Sequence, residues 1–267
     1  MLRIRPALVL AITLAGAVHA ATPTVQLDEM TWVEVRDALR SGTTTVIIPV
    51  GGTEQNGPHM ALGKHNFRAA MLSSRIAAGA GRTLVAPVMM YAPEGRISPP
   101  VGHMRFPGTI SVPQDAFEAV LAGAARSLKQ HGFLDVVLVG DSGNYQESLR
   151  SVAQRLNREW AGTPARAHHL AAYYRAASDE FAQALKARGI TEAQIGVHAG
   201  LADTSLMLAI DESRIRADLM RAPPAPEPSS GVAGDPTQST GALGRVGVDL
   251  VVERSVQALR AALVNRR

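Results

Sequence analysis

Glu54, His59 and His65 fall within a dozen residues of one another, in Thr53-Glu54-Gln55-Asn56-Gly57-Pro58-His59 and the following Lys64-His65-Asn66. A carboxylate with imidazoles is the donor mix that zinc and similar divalent ions take. The run follows an apolar stretch, Thr45-Val46-Ile47-Ile48-Pro49-Val50, and the pair Gly51-Gly52. Such a stretch reads as a buried strand, and open α/β sheets place ligands beyond the C-terminal ends of their strands. The sequence therefore predicts a metal site at a strand end, with further ligands drawn from elsewhere in the chain.

Three other loops offer candidates. Gly140-Asp141-Ser142-Gly143-Asn144 joins a strand to a helix, so Asp141 reads either as a ligand or as a helix-capping aspartate. His103 sits in the loop Gly102-His103-Met104-Arg105-Phe106-Pro107-Gly108-Thr109. His198 lies in Val197-His198-Ala199-Gly200-Leu201-Ala202-Asp203-Thr204-Ser205, ahead of a helix that Asp203 or Thr204 would cap. A lone loop histidine is more often a hydrogen-bonding group than a catalyst. His131, His168 and His169 carry no motif and read as solvent or packing residues.

The elements that must position these loops follow from periodicity. Apolar runs at 45–50, 83–88 and 134–139, and a segment at 165–173, read as strands. Helical patterns fall between them: residues 67–78, a face of Phe117, Val120, Leu121, Ala124 and Leu128, and a face of Leu149, Val152, Leu156 and Trp160. Helices near 180–187 and 204–210 and a closing helix with Val252, Val256, Leu259 and Leu263 complete the pattern. The alternation predicts an α/β single-domain layered fold with a mostly parallel central sheet flanked by helices. Pro87 marks its strand as an edge or a bulge. The proline-rich stretch 222–228 reads as an extended segment of the same domain.

Composition narrows the function classes. Arg3 and Arg5, an apolar core at 7–17 and Val18-His19-Ala20 read as a cleavable signal peptide over 1–20. That leaves 21–267 as the folded domain, periplasmic or secreted, with no stable membrane insertion after cleavage. Without those two arginines the net charge falls from +4 to +2, and no block of five basic residues occurs, which argues against nucleic acid. The chain has no cysteine, so any metal must be held by His, Asp and Glu.

Taken together, the loops resemble the creatininase family of creatinine amidohydrolase-like, metal-dependent hydrolases. Its Glu-Gln-His-Gly-Pro-His motif is matched by Glu54 through His59, and its His-x-x-Phe-Pro-Gly-Thr by His103 through Thr109. Its Asn-Gly-His-Gly-Gly-Asn loop is matched by Val139 through Asn144, and its His-Ala-Gly-x-x-Glu-Thr-Ser by His198 through Ser205. A Gly-x-x-Gly-Asp-Pro tail recurs at Gly231, Gly234, Asp235 and Pro236. The resemblance implies hexameric assembly, divalent metal at the strand ends, and hydrolysis of C–N bonds in cyclic ureas, formamides or small peptides.

In two-metal members one ion takes the motif's Glu, a later Asp and the loop His. The second takes the motif's His, the same Asp and another acid. Here those positions hold Glu54, His65 and Asp141 for the first, and Asn56, His65 and Gly143 for the second. The first set keeps its inventory with two positions exchanged, while the second loses its ligands; Leu201 is apolar where many relatives are acidic. The expectation is one divalent ion per protomer, zinc or manganese, on Glu54, His65 and Asp141. His59 would be a fourth ligand or orient a neighbour. By the resemblance, His198 is the acid/base group, with Asp203 orienting it or capping the helix. His103, Asn56 and Asn144 are the substrate-binding candidates. The reaction expected is hydrolysis of a small amide, cyclic ones included, by metal-activated water. A binding protein without turnover, or a lactonase or isomerase on the same fold, are the alternatives.

Overall fold

Continuous apolar runs make the strands of this protein, because a parallel strand covered on both faces has no polar side to show. The structure, a computed structural model, describes residues 24–221 and 229–264, so the expected signal peptide and the 222–228 segment lie outside the described residues. In chain order the elements are α1 (Trp32–Arg40), β1 (Thr45–Val50), α2 (Lys64–Ala80), β2 (Thr83–Val85), α3 (Gln114–Gln130), β3 (Asp135–Gly140), α4 (Gln146–Glu159) and β4 (Arg166–His169). There follow α5 (Ala171–Arg175), α6 (Phe181–Lys186), α7 (Glu192–Ile195), α8 (Leu201–Ile210), α9 (Ala217–Arg221) and α10 (Gly241–Val264).

The four strands form one wholly parallel sheet in the order β2-β1-β3-β4. From β1 the chain crosses to β2 on one side and then to β3 on the other. The crevice between β1 and β3 is thus the topological switch point where such sheets bind ligands. Val50 pairs with Gly140, so both strands end level and deliver Glu54 and Asp141 to the same edge. Pro87 lies beyond the short edge strand β2, as its missing N–H requires.

Alternate residues of each strand feed two cores. Val46, Ile48 and Val50 face Phe117 and Leu121 of α3 and Leu149, Val152 and Leu156 of α4. Ile47, Val137 and Val139 face Leu72 and Ile76 of α2, Tyr173, Phe181, and Val248 and Val251 of α10. On α4 the expected face, Leu149, Val152, Leu156 and Trp160, is buried as read. On α3 it is rotated: Phe117, Leu121, Ala122 and Ala125 are buried, while Val120 is 62% exposed. Among the described residues no helix is long and apolar enough to cross a membrane.

Helix α10 packs closely on α8 because glycine lets the backbones approach. A Cβ at Gly244 would collide with the Ser205 carbonyl oxygen, whereas one at Gly123 of α3 would meet open space. Gly244→Ala is expected to destabilise the fold by about 3 kcal/mol through overpacking. Gly123→Ala should stabilise it by about 0.5–1 kcal/mol, since only the entropy of a mid-helix glycine changes. Urea unfolding of the two variants reads both; equal and small effects would refute the close approach.

Candidate active site

Glu54 reaches the sheet edge on the Gly51-Gly52 turn after β1, where Gly52 N–H donates to Asn66 Oδ1 at 2.9 Å. Its carboxylate is buried at 1% exposure and splits its two oxygens between two neighbourhoods. Oε1 turns inward, 2.9 Å from His65 Nε2 and 3.6 Å from Lys64 Nζ. Oε2 turns toward His103, whose Nε2 is 3.2 Å away, and meets no well-aligned donor.

The inner neighbourhood is built by the first turn of α2. His65 Nδ1 lies 2.6 Å from Asp141 Oδ2, so the imidazole spans Glu54 and Asp141 with both ring nitrogens. Arg68 Nε is 3.1 Å from that same Asp141 oxygen, and Tyr173 donates its hydroxyl to Asp141 Oδ1 at 2.6 Å. Asp203, in the first turn of α8, accepts from Lys64 Nζ at 3.0 Å, from Arg68 at 2.7 Å and from Ala199 N–H at 3.0 Å.

These contacts set the protonation states. Burial works to raise Glu54 and Asp203, but the neighbouring cations, His65 and Lys64 for Glu54 and Lys64 and Arg68 for Asp203, hold both far below the usual carboxylate range. Burial and the Lys64 charge work to lower His65, yet its contacts with Glu54 and Asp141 outweigh them and leave it raised. Burial and the Asp141 charge push the Tyr173 hydroxyl well up, so it stays a donor. Burial, then the Glu54 charge and a hydrogen bond to Glu54, raise Glu94 well above the carboxylate range, and Glu94 carries a proton at neutral pH.

The outer neighbourhood holds the two loop histidines. Their rings lie 4.6 Å apart, with the Gln55 amide against both. His198 Nε2 donates to the Gln55 carbonyl at 2.9 Å, which leaves Nδ1 bare, 3.7 Å from Glu54 Oε1. Burial, with the Lys64 charge, lowers His198 to about 4, and burial lowers His103 as well, so both rings are neutral at pH 7.

The remaining expected residues are placed elsewhere. His59 is 1% exposed, with Nε2 2.9 Å from Thr204 Oγ1, and it braces α8 instead of joining Glu54. Asn56 is wholly buried, its amide donating to the Glu54 and Ala61 carbonyls, so it shapes the loop and meets no ligand. Asn144 does line the cavity, of about 620 Å³, and donates to Glu94 Oε2 at 3.0 Å. Asp203 turns to Lys64 and Arg68, not to the His198 ring it was expected to orient. Gly143 lines the cavity too, with Tyr174 filling the space beside it.

Two sets of metal donors can be weighed on these contacts. The expected set, Glu54, His65 and Asp141, does come together, but His65 spends both nitrogens on the two carboxylates, and Lys64 and Arg68 press on the same oxygens. That set does not fit an ion. Among the described residues Glu54, His103 and His198 form a group whose donor atoms lie within 4.8 Å of one another. One carboxylate and two neutral imidazoles are a zinc-type donor set, with His103 Nε2 3.2 Å from Glu54 Oε2 and His198 Nδ1 3.7 Å from Oε1. Taking an ion there requires His103 to carry its proton on Nδ1 and the Gln55 amide to turn from it.

Sequence reasoning missed Lys64, Arg68 and Glu94. The signal for the first two was a basic pair four residues apart around His65, at the start of a helix otherwise rich in small and apolar residues. Asp141→Asn should cost about 3–5 kcal/mol of stability, because it leaves the buried His65 and Arg68 one carboxylate short. A loss under 1 kcal/mol in denaturant unfolding would refute the buried pairing. Burial likewise lowers His59 to about 4 and His198 to about 4, against 6.5 in the unfolded chain. The unfolded state thus binds more protons between those values. The contribution of these two histidines is full above pH 6.5 and is expected to fall as pH drops toward 4, against an opposing contribution from the raised Glu94. A smaller loss of stability across that window in His59→Ala than in the unaltered protein checks the sign.

The creatininase model, described as creatinine amidohydrolase, matches residues 28–259. A creatinine amidohydrolase of Pseudomonas putida is 29% identical over 125 residues, covering 47% of this chain and 46% of that protein. A mycofactocin precursor peptide peptidase of Mycolicibacterium smegmatis is 32% identical over 120 residues, 43% of this chain and 46% of that one. The chain thus spans about half the length of these curated relatives in the matched stretches. Among solved structures a creatinine amidohydrolase (creatininase) superposes with a TM-score of 0.71 at 23% identity, covering 89% of this chain and 97% of that one. A structure titled creatininase Mn gives a TM-score of 0.69 at 25% identity over 90% and 98%. Fold, motif order and the match over most of its length agree, and the chain belongs to the creatininase family of amidohydrolases.

Proposed function

We propose that this protein is a metal-dependent hydrolase of a C–N bond in a small amide, with one divalent ion, zinc or manganese, on Glu54, His103 and His198. The observation that carries the reading is the buried Glu54 carboxylate flanked by two neutral imidazoles, His103 at Oε2 and His198 at Oε1, with donor atoms that lie within 4.8 Å of one another. A bound ion supplies Lewis-acid polarisation of a carbonyl and a water of lowered pKa.

The chain's own groups supply the rest. The Gln55 backbone carbonyl holds His198 through Nε2 and leaves Nδ1 free toward Glu54. Glu94, protonated beside Glu54 and held by Asn144, keeps a proton at the edge of the site for the leaving nitrogen. This role passes to Glu94 because His198 is committed to Glu54 and Gln55. Lys64 and Arg68 line the cavity with their charges paired to Glu54, Asp141 and Asp203. A non-catalytic binding protein is the second reading, favoured by the internally paired charges of the inner cluster. Export through residues 1–20 and assembly of several copies are further parts of the proposal. They are read by N-terminal sequencing of the exported chain and by light scattering.

Metal analysis and turnover test the reading together. His103→Ala/His198→Ala should lose the ion while keeping the fold. Glu94→Gln should retain the ion and lose about 100-fold or more in kcat on whichever amide a screen of cyclic and peptide amides identifies. Ion retention by the double histidine variant would refute the ligand set. Unchanged turnover in Glu94→Gln would remove the proton role. Ligand-dependent thermal shifts without any turnover would favour the binding protein.

A further inference from the structure

Lys64, His65 and Arg68 occupy one turn of α2 and are 1%, 6% and 3% exposed. Burying a charge costs several kcal/mol per ion unless a partner meets it in good geometry. Each of these three has such partners, and the partners come from three separate elements: Glu54 beyond β1, Asp141 beyond β3 and Asp203 on α8.

The pairing is closed on itself. Lys64 Nζ lies between Asp203, at 3.0 Å, and Glu54, at 3.6 Å. Arg68 reaches Asp203 at 2.7 Å and Asp141 at 3.1 Å. His65 has a carboxylate oxygen at each ring nitrogen, 2.9 Å and 2.6 Å away. Carboxylates only accept, so a ring placed between two of them donates from both sides and carries a positive charge. Three carboxylates thus face three cations, and no net negative charge is left to attract a divalent ion. An ion entering here would take Glu54 and Asp141 from the cations and leave Lys64 and Arg68, both buried, to share Asp203 alone.

We infer that the space between Glu54, Asp141 and Asp203 is a cation site filled by the chain itself. Lys64, His65 and Arg68 supply the positive charge there, and no divalent ion binds to Glu54, His65 and Asp141. The cluster lines the cavity, so this internally neutralised wall is a permanent part of the pocket, independent of metal supply and of chelators. The inference goes beyond the ion assigned to Glu54, His103 and His198 and stands without it.

Metal content after equilibration with excess manganese or zinc and removal of free ion provides the test. The His103→Ala/His198→Ala protein, whose inner cluster is intact, is expected to hold no ion. Lys64→Gln/Arg68→Gln leaves the carboxylates in excess and is expected to hold about one ion more per chain than the unaltered protein. Added manganese should raise the melting temperature of that variant, and a chelator should reverse the rise. An ion that persists in the double histidine variant and is lost on adding Asp141→Asn would overturn the inference. So would a folded Lys64→Gln/Arg68→Gln protein that takes up nothing extra. If that variant does not fold, the double histidine variant decides alone. An unaltered protein that holds no ion would sink the outer metal site while supporting the self-filled inner one.

Discussion

Compensation of buried charge is the constraint on which this sheet edge depends. Three acids and three bases lie together where the β1 and β3 strands end, and a single missing partner would leave a charge in a low-dielectric interior. The bases share one helical turn while the acids come from two strand ends and another helix. Satisfying the charges therefore fixes the start of α2 against the sheet and against α8. It also divides the work of one side chain. Glu54 is anchored through Oε1 by His65, and that anchoring presents Oε2 to His103 while His198 stands beside Oε1. The outer site inherits its geometry from the inner one.

The fold was legible because its signals are repeated and redundant. Each parallel strand leaves an apolar run, and each run is followed by a helical period, so an error at one element does not change the class. Ends were less legible. Gly63 offers no side-chain cap to α2, and the first apolar residue of that helix is Phe67. A reading by apolar periodicity starts the helix there and leaves Lys64 and His65 in a loop. On α3 a small-residue sequence permits two neighbouring faces, and tertiary packing chose Ala122 and Ala125 over Val120 and Ala124.

Site chemistry was legible as an inventory and not as a pairing. Glu54, His65 and Asp141 do meet, as the motif spacing implied. What the motif cannot carry is which lone pairs are already taken, and here two cations outside the motif take them. Glu94 is a lone acid in a loop of Gly and Pro, and only the folded chain brings it to Glu54. The relatives illustrate the same point from outside: proteins named for creatinine, for a precursor peptide and for 3-dehydro-scyllo-inosose all match this chain. Side chains on the sheet edge, not the layered scaffold, must separate such activities.

Gly143 stands where the family resemblance places an acidic ligand of a second ion. The hydroxyl of Tyr174 fills the adjacent space, and a Cβ built on residue 143 would lie 2.6 Å from it. Any side chain at that position has to displace the Tyr174 hydroxyl, the far end of a half-buried side chain. The ring at 174 thus occupies the volume that a side chain at 143 would need, so a substitution at either position is felt at the other.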